Sequence, residues 1–342
     1  MNEKNTRRSA SREDDLIEMM KTLLGDSARR VPLGIGDDCA IIGPGPRNTE
    51  LLLTTDLLVE HTHFQLEWAA PYQVGWKSLA ASVSDIAAMG GRPTTAVISI
   101  GIRVRNRDYF IKSFYEGLRA AADKYGVSVA GGDTVRSEIA VVNVTLLGEA
   151  ARGRALKRKG ARPGDTIYVT DTCGDSRAGL EILQSGITSK QKRIEPYMKR
   201  LTEYHLAPEP SVDAGLAASA SGAVTAMMDL SDGIAADLPR LCKRSLVGAR
   251  VRFADLPVSP DLLKWSECSG KSASETALLG GEDFNLLIAA DPKKSDNLIE
   301  LIEVLGISIT AIGEIVPREE GLTLLGPDGN PLPWPDSGFV HF

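Results

Sequence analysis

The stretch PYQVGWKSLAASVSDIAAM (71–89) places Val74, Leu79, Val83, Ile86 and Ala87 on one face of a helical period, and Gly90-Gly91 closes it. It reads as a buried helix, with one misfit. Asp85 stands among Ala, Val and Ile, where a lone carboxylate is costly unless it is paired or metal-bound. Outward from this helix, LLLTTD (51–56) and Thr95–Ile102 read as strands. Asp108–Tyr125 reads as a second helix, striped with Phe110, Phe114, Leu118 and Ala121. Val127–Ala130 and Ile139–Leu147 follow as strands. The charged, Pro-Gly-terminated run ARGRALKRKGARPGD (151–165) suits a domain boundary. Beyond it, strands are expected at Thr166–Thr170, Val224–Met228, Ala249–Phe253, Asn285–Ala290, Ile307–Ile315 and Leu322–Leu325. Helices are expected at Ser176–Gln184, Ser211–Ala220, Ile234–Lys243 and Lys294–Leu305. Alternating helix and strand signals give an α/β or α+β class. The expected division is a flexible tail at 1–12, an N-terminal domain at 13–150 and a C-terminal domain at 151–342.

Composition removes several function classes. The 342 residues suit about two domains of about 150 residues each. With 39 Lys+Arg against 45 Asp+Glu, the net charge of −6 is no nucleic-acid footprint. No run approaches the about 18 uncharged apolar residues of a membrane span. The polar N-terminus lacks the apolar core of a signal peptide, and a cytoplasmic protein is expected. Cys39, Cys173, Cys242 and Cys268 are too scattered for a disulfide framework or a zinc ribbon. The P-loop, the GxGxxG fingerprint, the protein-kinase set and GxSxG are all missing.

What does recur is an acid beside Gly, Ser or Thr, expected at strand ends or helix starts: GIGDDC (34–39), TTD (54–56), SVSD (82–85), GGDT (131–134), DLSDG (229–233) and GGED (280–283). Asp and Gly mark turns, but six such clusters suit a site for hard cations. Mg²⁺ takes oxygen ligands and bridges carboxylates to phosphates, and glycines let backbone N–H groups approach those phosphates.

In this order, the clusters resemble the thiamine-phosphate kinase family of the aminoimidazole ribonucleotide synthetase-like superfamily. The resemblance is carried by GIGDDCAII (34–42), TTDLLVEHTHF (54–64), GWKSLAASVSDIAAMGGRP (75–93), GGDTVRS (131–137), GRALKRKGARPGD (153–165), MMDLSDGIAADL (227–238), GGEDF (280–284) and GFVHF (338–342). The loop after Asp171 departs from it, reading Thr-Cys-Gly. The resemblance implies a two-domain fold in which the N-terminal domain forms a shared β-barrel in a homodimer and a C-terminal α/β domain completes the site. It implies ATP-dependent phosphorylation of thiamine monophosphate, the last step of thiamine diphosphate biosynthesis, by direct Mg²⁺-assisted transfer with no general base. It assigns Asp37, Thr54, Thr55, Asp56, Asp85, Asp133, Asp229 and Asp232 to several Mg²⁺ ions. Tyr115, Gly132, Asp133, Arg158 and Ser231 fall to ATP, and His63, Glu282 and Phe339 to the thiamine substrate. From position alone, Tyr115 and Phe339 read equally as core residues, and Arg158 and His63 as surface residues. A catalytically inactive nucleotide-binding regulatory protein is the alternative; it would be marked by missing metal acids.

Overall fold

The computed structural model describes residues 10–25, 31–103, 107–186 and 194–335. A first helix, α1 (Ala10–Leu24), begins inside the stretch expected as a tail. Five strands then form one sheet: β1 (Ala40–Pro44), β2 (Thr49–Val59), β3 (Arg92–Ile102), β4 (Ser128–Arg136) and β5 (Val141–Ala151), in the order β1-β2-β5-β3-β4. All neighbours are antiparallel except β3 and β4. Two helices, α2 (Pro71–Ala88) and α3 (Arg107–Tyr125), cover one face. Along β5 every second residue from Val142 to Ala150 is buried, the period of a sheet covered on one side. The other face carries Thr55, Leu57, Val97 and Ser99, all exposed, and β4 is exposed along its whole length.

One strand departs from expectation. GGDT was expected at a strand end but lies inside β4, which runs on to Arg136. Gly132, which looks like part of a stop, is what the pairing requires. A Cβ on Gly132 would sit 1.7 Å from the Ile98 carbonyl oxygen of β3.

The second sheet contains β6 (Thr166–Thr170), β7 (Val224–Asp229), β8 (Gly248–Arg252), β9 (Leu286–Ala290), β10 (Ile309–Val316), β11 (Leu322–Leu325) and β12 (Pro331–Pro333), in the order β12-β11-β8-β10-β6-β9-β7. It interleaves with α4 (Asp175–Gln184), α5 (Pro196–Leu206), α6 (Val212–Ser221), α7 (Ile234–Ser245), α8 (Pro260–Ser269), α9 (Ala273–Leu279) and α10 (Ser295–Glu303). Of these, α5, α8 and α9 were not anticipated. Alternate residues serve opposite faces. Ile167, Val169 and Met228 pack with Ile234 and Leu238 of α7. Tyr168, Met227 and Ile288 pack with Ala214 and Ala218 of α6 and Leu298 of α10. Among the described residues no helix is long and apolar enough to cross a membrane.

Helix α2 is the spine between the sheets. Gly75 faces α3, where a Cβ would lie 2.0 Å from the Phe114 carbonyl oxygen. Gly117 of α3 returns the contact, 1.8 Å from that of Tyr72. At its other end, Ala87 and Ala88 join the core of the second sheet, and the Ala87 carbonyl abuts Gly215 of α6. These backbones approach more closely than any side chain allows. Gly117→Ala is therefore expected to cost about 1–3 kcal/mol through overpacking, read as a lower denaturant midpoint at unchanged slope.

Candidate active site

A cavity of about 960 Å³ opens between the two sheets, and α2 lines it with Lys77, Ala81 and Asp85, one residue per turn. At the Asp85 end, three carboxylates converge from three elements: Asp38 of the loop before β1, Asp85, and Asp229 at the end of β7. One oxygen of each lies within 4.8 Å of the others. Asp38 and Asp229 are buried and Asp85 is half-buried. Each is held by a neighbour. Thr54 donates its hydroxyl to Asp85. Ser84 Oγ donates to Asp229 Oδ2 at 2.7 Å. Arg158 Nε donates to Asp38 Oδ1 at 2.9 Å. Nearby, Ser82 Oγ donates to Asp56 Oδ2 at 2.6 Å, and the Arg158 backbone N–H to Asp37 Oδ1 at 3.0 Å.

These partners do not neutralise the group. Burial, then the charge of Asp56, drives the Asp85 carboxyl well above its ordinary range. Burial, then Asp38, does the same to Asp229. Asp56 is raised by burial, and Asp37 is pushed up to about 6 by burial and by Asp38. Asp38 Oδ2 is buried with no hydrogen-bond partner among the described residues. Two unit charges about 4 Å apart repel by about 4 kcal/mol at an effective dielectric of about 20. Hard oxygen donors, excess negative charge and an orphaned carboxylate oxygen together fit a hard divalent cation.

The loops around the acids interlock through glycine. Glu282 N–H donates to Ser231 O at 2.7 Å, and a Cβ on Gly281 would sit 2.6 Å from that same oxygen. Asp237 Oδ2 accepts from the backbone N–H groups of Asp232 and Gly233 at 2.9 and 3.0 Å. Arg240 bridges Asp232 and Asp237. Asp283 accepts from Gly174 N–H at 2.7 Å and Ser176 N–H at 3.2 Å, fixing the 280–284 loop to the start of α4. The immediate task of these glycines is to let one backbone meet another.

Glu282 occupies the cavity wall in a left-handed conformation, φ 62°. Its Oε1 lies 2.8 Å from Lys77 Nζ and its Oε2 3.4 Å from His205 Nδ1. Burial opposes its ionisation, but the Lys77 ammonium holds its carboxyl below the ordinary value. His205 is kept neutral, its pKa lowered to about 3 by burial and by Lys77. His63 Nδ1 accepts the Val59 N–H at 3.0 Å, which leaves Nε2 to carry the proton of the neutral ring.

Of the residues expected at the site, Asp37, Thr54, Thr55, Asp56, Asp85, Arg158, Ser231, Asp232, His63 and Glu282 line the cavity, and Asp229 joins its acid cluster. Three do not come to it in the single chain. Tyr115 is half-buried beside Phe114 on α3. Gly132 and Asp133 lie exposed on β4, with Asp133 in register with Ser99 on the uncovered face. Phe339 lies outside the described residues. Sequence reasoning passed over Asp38, Lys77, His205, Asp237 and Arg240. The Lys77 signal was present: its spacing from Asp85 puts both on one side of α2.

Comparison with known proteins fits this arrangement. Residues 36–150 match the AIR synthase related protein N-terminal domain and residues 162–324 its C-terminal domain. The thiamine-monophosphate kinase of Bacillus subtilis (strain 168) is 33% identical, covering 91% of this chain and 94% of its own length. The chain belongs to the thiamine-monophosphate kinase family. The Escherichia coli (strain K12) member is 36% identical over 91% of this chain and 92% of its own. Within the family, the solved structure of AaThiL complexed with AMPPCP and TMP is 34% identical. It covers 96% of this chain and 97% of its own, with a TM-score of 0.83.

Asp283 gives a test of how desolvated this site is. Burial first, with Asp175 adding to it, pushes its carboxyl up to about 8, against the two amide donors. Between about pH 4 and pH 8 the folded chain thus holds a proton that the unfolded chain releases, and stability falls as pH rises through that window. Asp283→Asn lacks this loss. The melting temperature of the variant relative to the parent is expected to rise steadily from about pH 5 to about pH 8; a constant difference would count against the burial of the charge.

Proposed function

We propose that the chain transfers the terminal phosphoryl group of ATP to thiamine monophosphate, giving ADP and thiamine diphosphate. The observation that carries this reading is the end-to-end likeness to AaThiL, whose complex holds AMPPCP and TMP. The cavity supports it, with an excess of carboxylates at one end and an ion-paired Glu282 on its wall.

The acceptor phosphate needs no base. Its second pKa of about 6 leaves it mostly dianionic at pH 7. The obstacle is repulsion between two polyanions, and the protein's task is alignment and neutralisation. Asp38, Asp85 and Asp229 would hold Mg²⁺, with Asp37, Thr54, Asp56 and Asp232 beside them, and several ions are in keeping with that number of acids. Bound there, Mg²⁺ would supply the positive charge that offsets the phosphates. Thr54, Ser82 and Ser84 fix the rotamers of Asp85, Asp56 and Asp229, and Arg158 fixes Asp38 while its charge faces the same cavity. Ser231 sits where the 229–233 and 280–284 loops meet, on the cavity wall, and would contact the nucleotide from there. His63, whose Nδ1 accepts the Val59 N–H, would donate from Nε2 to a phosphate oxygen.

The uncovered face of the first sheet supports a homodimer. Leu57, Val97 and Val135 are each more than two-fifths exposed, and β4, which carries Val135 and is exposed throughout, is an open edge. Gly132 and Asp133 would then lie at the interface. The reading also retains two domains, divided between the end of β5 and β6. Nothing favours the binding-only alternative, since every expected acid is present.

The test is ADP release from Mg-ATP with and without thiamine monophosphate. Release that depends on the acceptor, with thiamine diphosphate formed one-for-one, is expected; acceptor-independent release or none from folded protein would sink the reading. Asp85→Asn separates charge from fold. In chelator it is expected to be more stable than the parent, because buried like-charge repulsion is relieved, and to lose the stabilisation Mg²⁺ gives the parent. Its activity should fall by more than the about 10–100-fold that outer-shell partners of metal sites contribute.

A further inference from the structure

We propose that α1 is a lid over one end of the cavity, latched by Glu18 and Arg244, which lifts to admit a nucleoside triphosphate and closes over it once bound. The identity of the ligand rests on the kinase reading above; the movement rests on how α1 is held.

Helix α1 forms part of the cavity wall through Ile17 and Glu18. Little holds it there. From Asp15 to Leu24 no residue of α1 is buried. Met19, Met20, Leu23 and Leu24 are each at least half exposed. The helix therefore gains little from tertiary packing, the main source of helical stability in proteins. Helix α2, which lines the same cavity, is buried along most of its length. Segments with few buried apolar contacts open locally at far lower cost than the fold as a whole. Helix α1 can thus leave the wall while the two sheets stay intact.

The tie to the body of the protein is electrostatic. Glu18 Oε1 lies 3.9 Å from Arg244 Nη1, and both side chains are partly exposed. A pair of that kind holds weakly. Arg244 is also placed to respond to a ligand. It lines the cavity, and its guanidinium lies over Gly36, where a Cβ would sit 1.5 Å from Nη2. Gly36 has φ 119°, a conformation that suits glycine. The space of its missing side chain is filled by Arg244, which is wedged between α1 and the loop of Asp37 and Asp38. A nucleoside triphosphate brought to that loop meets the Arg244 charge. A guanidinium has donors enough for a phosphate and for Glu18 together. Bound polyphosphate therefore fixes Arg244, and the fixed guanidinium holds Glu18 and α1 closed. A helix closed over the ligand keeps water from the transferring phosphoryl group.

The test uses the full chain with Mg²⁺ and a non-hydrolysable ATP analogue carrying a fluorescent ribose label. Hydrogen exchange of the α1 amides is expected to slow at least about 10-fold when the analogue is bound, beyond any change in α10. Glu18→Arg should remove that protection and speed dissociation of the analogue at least about 10-fold. This runs against simple electrostatics, since added positive charge near the site would by itself slow the loss of a polyanion. Met19→Arg places the same charge at an exposed position of α1 and should leave the dissociation rate within about 2-fold of the parent. Equal exchange of α1 with and without the analogue, unchanged or slower dissociation from Glu18→Arg, or equal acceleration by Met19→Arg overturns the lid. A parent that binds no analogue overturns the lid and the kinase reading together. A parent that binds it but makes no thiamine diphosphate from ATP overturns the kinase reading alone.

Discussion

Everything at this site follows from bringing three largely buried carboxylates within 4.8 Å of one another at one end of a cavity. Asp38, Asp85 and Asp229 come from a loop, a helix and a strand that the chain has no local reason to bring together, and like charges oppose the meeting. The fold overcomes that opposition with packing. Once the acids are together, they set the chemistry. A desolvated, over-negative cluster has a strong preference for hard cations, and hard cations are what two approaching phosphate groups need between them. The hydroxyls of Thr54, Ser82 and Ser84 are too weak to neutralise carboxylates, and serve to aim them.

Helix α2 makes the arrangement rigid. It is gripped by α3 through reciprocal glycine contacts at one end and by α6 through Gly215 at the other. A helix held this closely cannot shift by a fraction of a turn without backbone collision. Its cavity-facing residues therefore keep their separation, with a cation at one end and a carboxylate at the other. Such positioning on a regular element contributes to rate by holding reactants in line. The 229–233 and 280–284 loops, which carry Ser231 and Glu282, are less regular. They are stiffened instead by backbone bonds to each other and by the buried carboxylates of Asp237 and Asp283.

Much of the fold was legible in the sequence wherever burial imposed a clean period. Thr166–Thr170 and Leu322–Leu325 are strands with the expected limits, and the helix read at 71–89 is α2. Where the period was weak, the elements were missed. Helix α5 buries only Leu201, Thr202, His205 and Leu206, too sparse a stripe in a polar segment to stand out. The end of β4 was misjudged because Gly131-Gly132 reads as a break, whereas close parallel pairing with β3 demands glycine at 132. The acids were legible as types and spacings. Which member of Asp37-Asp38 turns inward was not, since adjacent loop residues differ only in where the tertiary structure points them. The meeting of Lys77, His205 and Glu282 was invisible for the same reason: α2, α5 and the loop before β9 share no local pattern.

The central claim is that the buried carboxylates are a divalent-cation site on which the phosphates are handled. The most direct measurement is diffraction from crystals of the protein grown with Mn²⁺ and a non-hydrolysable ATP analogue, recorded for the anomalous signal of the metal. The account predicts anomalous peaks within ligand distance of Asp85 and Asp229, on the phosphate side of the cavity. Metal bound only elsewhere, with these carboxylates left facing one another or tied to protein donors alone, would contradict it.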